Sequence, residues 1–244
     1  MAKLRPSLIK IQGTLMGVTI VNSKRYGEHA RAARGTYKPV TINDGLVQSG
    51  ERLQNSNRPA KLIFDAVRDE HKDGGFWTDL LSVFRKQLKE DKRFSFKGLL
   101  KLECSKTHKL DSLLHRQFEI DTISAANTLD VTVTLLQHPK WDRKLYLDGY
   151  QLGVTAVYPD FNADTVCKAT ARTPVILFKQ ELTPLHFQLP MPATDAPWVL
   201  FMHVAASRKG YIYDLPQHKG MAIVKVRSEP PAEDASNVLP VGHA

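Results

Sequence analysis

Cysteine is scarce. Only Cys104 and Cys167 occur in 244 residues, which excludes the disulfide framework that staples small secreted domains, and both read as small buried thiols. Long apolar runs are missing as well. The start Met-Ala-Lys-Leu-Arg-Pro is positive like a secretory signal, but Lys10, Gln12 and two glycines break the stretch from Ile9 to Ile20, and no small-residue cleavage site follows. Nothing approaches the roughly 20 apolar residues of a membrane-crossing helix. The expectation is no membrane span and a cytoplasmic location, with export by a route that needs no such signal left open.

Catalytic signatures are also lacking. There is no Gly-x-Ser-x-Gly elbow, no Gly-x-x-x-x-Gly-Lys-Ser/Thr phosphate loop and no Gly-x-Gly-x-x-Gly dinucleotide turn. Nine histidines form no His-x-x-x-His pair, and Cys104 with His108 supplies two ligands where a structural zinc site needs four. His203, inside an apolar strand, reads as a satisfied core histidine. Asp111 and His115, spaced for contact on a helix, are the best remaining acid–base pair, and the spacing is common. The sequence therefore predicts a non-enzyme with no metal, no cofactor and no small-molecule substrate in evidence.

What is present is globular in composition, 42% hydrophobic and 24% charged. The net charge of +9 is uneven: residues 1–116 hold 23 Lys or Arg against 12 acids, and residues 117–244 hold 11 against 13. An anionic partner should meet the first half.

Along the chain, Leu8 to Gln12 and Val18 to Asn22 read as short strands around the reversal Gly13-Thr-Leu-Met-Gly17, with a third extended piece from Glu28 to Arg34. Three helices are expected next. The first is capped by Thr41 with Asp44 and carries Ile42, Leu46 and Leu53; the second starts at Asn57 and Pro59 and carries Ala60, Ile63, Phe64 and Val67; the third follows Asp73-Gly74-Gly75 with the stripe Trp77, Leu80, Leu81, Phe84 and Leu88. From about Arg116 the period becomes alternating. Phe118 to Thr122, Leu129 to Leu135, Leu152 to Tyr158, Val175 to Phe178, Leu185 to Leu189, Trp198 to Ala205, Tyr211 to Tyr213 and Met221 to Val226 make about eight strands. The Trp198 run is almost wholly apolar, as a central strand covered on both faces should be.

The fold class this predicts is α+β: a basic β-ribbon and helical domain over 1–115, an antiparallel, immunoglobulin-like β-sandwich over 116–227, and a disordered tail over 228–244. Clustered near the strand ends, Trp141, Tyr146, Tyr150, Tyr158 and Phe161 read as packing residues.

Two binding features stand out. A ribbon with Ile9, Ile11, Val18 and Ile20 has free hydrogen-bonding edges and must dock on something, which predicts a homo-oligomer or filament assembled through it. Between and beyond its strands, Lys24, Arg25, Arg31, Arg34 and Lys38 interleave with Tyr26, His29 and Tyr37, a pattern for phosphates and stacked bases, so a nucleic-acid partner is the alternative. Arg85, Lys89, Lys92 and Arg93 form a second cationic helix face, the usual form of a solvated surface.

The pattern Gly13-Thr-Leu-Met-Gly17-Val-Thr-Ile-Val-Asn-Ser23-Lys-Arg-Tyr26 resembles an uncharacterised bacterial family of similar size and layout. The likeness rests on Gly13, Gly17, Ser23 and Tyr26. It implies a glycine-containing hairpin, a helical middle and an immunoglobulin-like C-terminal half, and it carries no catalytic residues over to this chain.

Overall fold

The structure, a computed structural model, describes residues 2–3, 13–23, 27–32, 43–71, 73–90, 95–125, 127–141, 146–161, 163–193, 195–213 and 215–227. The strand expected over Leu8 to Gln12, the cap at Thr41 and the tail from 228 lie outside the described residues. Two compact units divide the chain, residues 1–47 and residues 48–244. The fold mixes helices with antiparallel sheets.

The first unit holds four strands, β1 (Ala2–Lys3), β2 (Gly13–Leu15), β3 (Val18–Ser23) and β4 (Gly27–Ala32), in the order β1-β4-β3-β2. Residues 13–15 are thus a strand, not part of a long reversal. The turn is only Met16-Gly17, with φ of 47° and 78° and Leu15 paired to Val18. Positive φ at both central positions is the hairpin turn whose twist matches its strands, and glycine supplies one of them without strain. Lys209 and Gly210 repeat this geometry later in the chain.

Helix α1 (Asp44–His71) runs unbroken through Pro59, so the two helices expected there are one. Its cap is Asn43, whose Oδ1 accepts from the Leu46 amide at 2.9 Å. Proline removes one ladder bond and its ring crowds the preceding turn. The helix continues because Ser56, Pro59, Ala60, Ile63, Ala66 and Val67 are buried on one stripe that spans the proline, and that packing outweighs the local preference. Asp73 then opens α2 (Gly75–Glu90) by accepting from the Gly75 amide at 2.8 Å. Phe76, Leu80 and Phe84 are its buried line, flanked by Trp77 and Leu81.

A 3₁₀ turn (Phe96–Leu99) and the short helix α3 (Leu110–Leu114) lead into the strands. β5 (Phe118–Ala125), β6 (Thr128–Leu135) and β10 (Leu185–Pro190) form one sheet in the order β10-β6-β5. In the other, β11 (Trp198–Arg208) lies between β7 (Gly149–Asp160) and β13 (Lys219–Arg227), β8 (Thr165–Arg172) and β9 (Ile176–Leu177) add to β7, and β12 (Tyr211–Ile212) adds to β11. In these two sheets β8 is the strand with no counterpart among those expected from sequence, as β1 and β2 are in the N-terminal sheet. The Val175 to Phe178 piece contracts to two residues.

Alternation along β11 divides two cores. Trp198, Leu200, Met202 and Val204 join Leu129, Val131 and Val133 of β6 and Phe187 and Leu189 of β10. Val199 and Phe201 join Ile63, Val67, Phe76, Leu80 and Phe84 of the helices. The expectation that this strand is central and covered on both faces therefore holds, and helices α1 and α2 pack on the far side of the larger sheet. His138, Trp141, Tyr150 and Phe178 meet ring to ring in the first core, with the Tyr150 hydroxyl 3.2 Å from His138 Nδ1. Tyr146 is exposed instead.

Candidate functional site

In the N-terminal sheet, pairing sets which side chains share a face. Leu15 lies opposite Val18 and Val18 opposite Ala32, while Ile20 lies opposite Ala30, so Leu15, Val18, Ile20, Ala30 and Ala32 form one apolar face. Leu15 is 72% exposed, Met16 at the tip 96% and Val18 44%. Arg31 is exposed on the opposite face beside Thr19, whose hydroxyl meets that of Thr14 at 2.9 Å. Val18 and Ile20 therefore share one face, and Arg31 is on the other. Ile9, Ile11, Lys24, Arg25, Arg34 and Lys38 lie outside the described residues.

A complementary surface lies on the smaller sheet. Glu119, Asp121 and Ile123 of β5, with Asp130, Thr132 and Thr134 of β6, point away from the core, because Ile123 pairs with Asp130, Asp121 with Thr132 and Glu119 with Thr134. None of the sheet's three strands contains Lys or Arg. β5 is one of the sheet's two outer strands. Ile123 is 68% exposed, and one backbone carbonyl of β5, that of Ile120, accepts from Lys225 Nζ at 3.1 Å.

The acid–base pair suggested by spacing is not assembled. Asp111 Oδ1 accepts from Arg116 Nε at 3.1 Å, and His115 takes a left-handed conformation (φ 49°) as the C-cap of α3, its amide donating to the Asp111 carbonyl at 2.7 Å. Cys104 is fully buried, and desolvation pushes its thiol well above the usual range, with Glu103 and Asp73 adding to the effect. It packs in the helix-side core with Phe96, Leu99 and Met221. Among the described residues no group of three His, Cys, Asp or Glu is placed to hold a metal ion, and no helix is long and apolar enough to cross a membrane. Arg85 and Lys89 line a groove with Arg52 and Lys86 and the hydroxyls of Ser49, Thr78 and Ser82. Lys92 and Arg93 are outside the described residues.

The larger sheet carries a cleft of about 340 Å³ against the end of α1 and the 104–108 segment. β-Register builds its floor: His203 pairs with Gly153 on one side and Met221 on the other, and Gly153 pairs with Arg172. A Cβ on Gly153 would run into the His203 ring, so glycine is what lets the imidazole lie over the strand. Glu70 reaches down from α1 to Arg172, Oε2 to Nη2, at 2.6 Å. His71 is buried beside it, with Nδ1 accepting from the Asp73 amide at 3.0 Å.

Burial depresses the pKa of His71, with Asp73 opposing, and pushes that of His203 down to about 4. At His203 the Glu70 carboxylate opposes the burial, and Arg172 and Lys219 reinforce it. Burial thus favours the neutral form of both rings. The Nε2 atoms of His71 and His203 are buried without a hydrogen-bond partner, which departs from the satisfied core histidine expected at 203.

No family model matches the chain, and no curated protein is similar to it. The geometry alone carries the reading that follows.

Proposed function

We propose that the chain is a non-enzymatic structural protein that self-associates, the N-terminal sheet of one copy docking on the smaller sheet of the next. The β-sandwich of residues 116–227, immunoglobulin-like in layout, serves as the rigid body, and the N-terminal sheet as the arm. One observation carries this: pairing puts Leu15, Val18, Ile20, Ala30 and Ala32 on one apolar face of the arm's sheet, and Leu15 and Val18 on it are exposed. Such a face is stabilised by a second layer.

Charge favours a second copy as that layer. Residues 1–47 hold eight Lys or Arg against two acids, whereas the outward face of β5 and β6 offers Glu119, Asp121 and Asp130 around the exposed Ile123. Opposite patches steer association, and an arm on β5 also satisfies edge backbone groups. Because arm and acceptor are different surfaces, the contact is heterologous and propagates to a ring or filament.

Light scattering behind size exclusion, comparing the full chain with one lacking residues 1–40, tests this. The full chain should elute as species larger than one copy that shrink as salt rises, and the truncated chain as a monomer with its 48–244 fold intact. A strictly monomeric full chain at high concentration overturns the proposal.

The second reading, binding of nucleic acid, draws support from the groove lined by Arg52, Arg85, Lys86 and Lys89, where no acid lines the wall. Runs with added duplex separate it, since only this reading has the truncated chain still shift, at low salt, into a larger complex.

A further inference from the structure

Exposed apolar side chains gather at one end of the two larger-unit sheets. Among the described residues of 48–244 eight large hydrophobics are exposed, and Leu53, Leu100 and Ile123 lie elsewhere. The other five are Leu136, Tyr146, Tyr211, Ile212 and Leu215, the two tyrosines 79% and 80% exposed.

Strand register brings these five together. Ser207 of β11 pairs with Gly149 on one side and Ile212 on the other, and Arg208 pairs with Tyr211. Asp148 donates its amide to the Ser207 carbonyl and accepts the Lys209 amide at Oδ2, which sets Tyr146, two residues earlier, beside the β11–β12 hairpin. Leu136 follows β6 two residues before His138, whose ring meets the Tyr150 hydroxyl at 3.2 Å, and Tyr150 pairs with Ala206. Leu215 lies just beyond β12, where its carbonyl accepts the His218 amide at 3.0 Å.

Cations share this end. Lys140, Lys179, Arg208 and Lys209 are exposed, and none of them is in a salt bridge among the described residues. Lys179 is placed here because the Phe178 amide donates to the Asp148 carbonyl at 3.1 Å. The carboxylates beside them among the described residues are Asp148, engaged by the Lys209 amide, and Glu181.

We infer that this end docks on the surface of an anionic lipid bilayer. Tyrosine rings seat at the headgroup level with the hydroxyl toward water, aliphatic side chains enter the acyl boundary, and Lys and Arg meet anionic headgroups. A nucleic-acid backbone calls for the cations and leaves the five apolar side chains in water. A cluster of this kind on a water-exposed surface marks an interaction site. It shares no residue with the arm or with β5, so it stands independently of self-association.

Vesicle flotation of the full chain tests this, with phosphatidylcholine alone and with phosphatidylcholine mixed with phosphatidylserine. The chain should rise with the mixed vesicles, less so as salt increases, and stay behind with phosphatidylcholine alone. Tyr211→Ser with Leu215→Ser should weaken binding to the mixed vesicles about tenfold or more. Arg208→Glu with Lys209→Glu should weaken it as well. All four side chains are exposed, so the unfolding midpoint and the size by light scattering should match those of the unaltered chain. The inference is overturned if the mixed vesicles carry no protein, or if the Tyr211 and Leu215 variant floats undiminished, which would assign the binding to the basic arm. It is overturned too if that variant loses assembly in solution, which would make the patch a contact between copies.

Discussion

Phe76→Ala should cost the fold about 3–5 kcal/mol, the range for emptying a buried aromatic site. Phe76 is 1% exposed in the first turn of α2, and its ring stands 5.1 Å from that of His71, 6.1 Å from Phe201 and 6.4 Å from Phe64. These partners come from α1 and the central strand β11, so the side chain ties both helices to the larger sheet. The surrounding strands and helix cannot close over a hole this large. Against a typical total of roughly 5–15 kcal/mol, most of the stability would go. Urea unfolding checks it: the midpoint should fall sharply with an unchanged slope. A loss below about 1 kcal/mol would mean that the helices do not rest on this contact.

Acid should destabilise the protein before its carboxylates titrate. His203 has its pKa pushed down to about 4 by burial, below the usual value near 6.5. Between those values the unfolded chain binds a proton that the folded chain refuses, so stability falls as pH drops through the window and levels off below about 4. The loss from this residue is on the order of 3 kcal/mol. His71 shifts in the same direction through its own burial. Glu103 acts with the opposite sign, since burial raises its pKa even though its carboxylate accepts the Leu110 and Asp111 amides at 2.8 and 3.0 Å; its contribution is lost as pH rises. Urea unfolding at about pH 7, 5.5 and 4 should show the decline, and His203→Phe should flatten much of it. Equal stability across the series would contradict the placement of His203.

Strand order aside, much of the β architecture was legible, because a half-buried strand alternates and a doubly covered one does not. Leu129, Val131, Val133 and Leu135 announce one pattern, and Trp198 to Ala205 the other. β8 stayed silent for the same reason: it is an outer strand whose only buried residue is Ala169, so Thr165 to Arg172 shows no apolar period. The continuity of α1 was hidden by Pro59, a local stop signal overruled by packing on both sides of it. The arm's apolar face could be read in part, from Val18 and Ile20, but Leu15 looked like turn until its pairing with Val18 was fixed.

The cleft was not legible at all. Its members come from residues 69–71, 104–105, 108, 151, 172, 203–205, 212, 216 and 219–221, and apart from the short spacing of Cys104 and His108 nothing in the sequence links these segments. What joins Gly153 to His203 is a register between β7 and β11, and what joins Glu70 to Arg172 is the seat of a helix on a sheet. The acidic face has a middle status. The alternation of Glu119 and Asp121 is visible in the sequence, but its position on an outer strand of a sheet without cations depends on the strand order.

The central claim is that an arm on one copy meets β5 on another, and mixing two crippled chains tests it most directly. The first lacks residues 1–40 and keeps only the acceptor. The second carries Glu119→Lys and Asp121→Lys and keeps only the arm. Each alone should be a monomer by light scattering, and the mixture should form a one-to-one pair that grows no further. If the mixture stays monomeric while the full chain assembles, the arm docks elsewhere and the account of the acceptor surface is wrong.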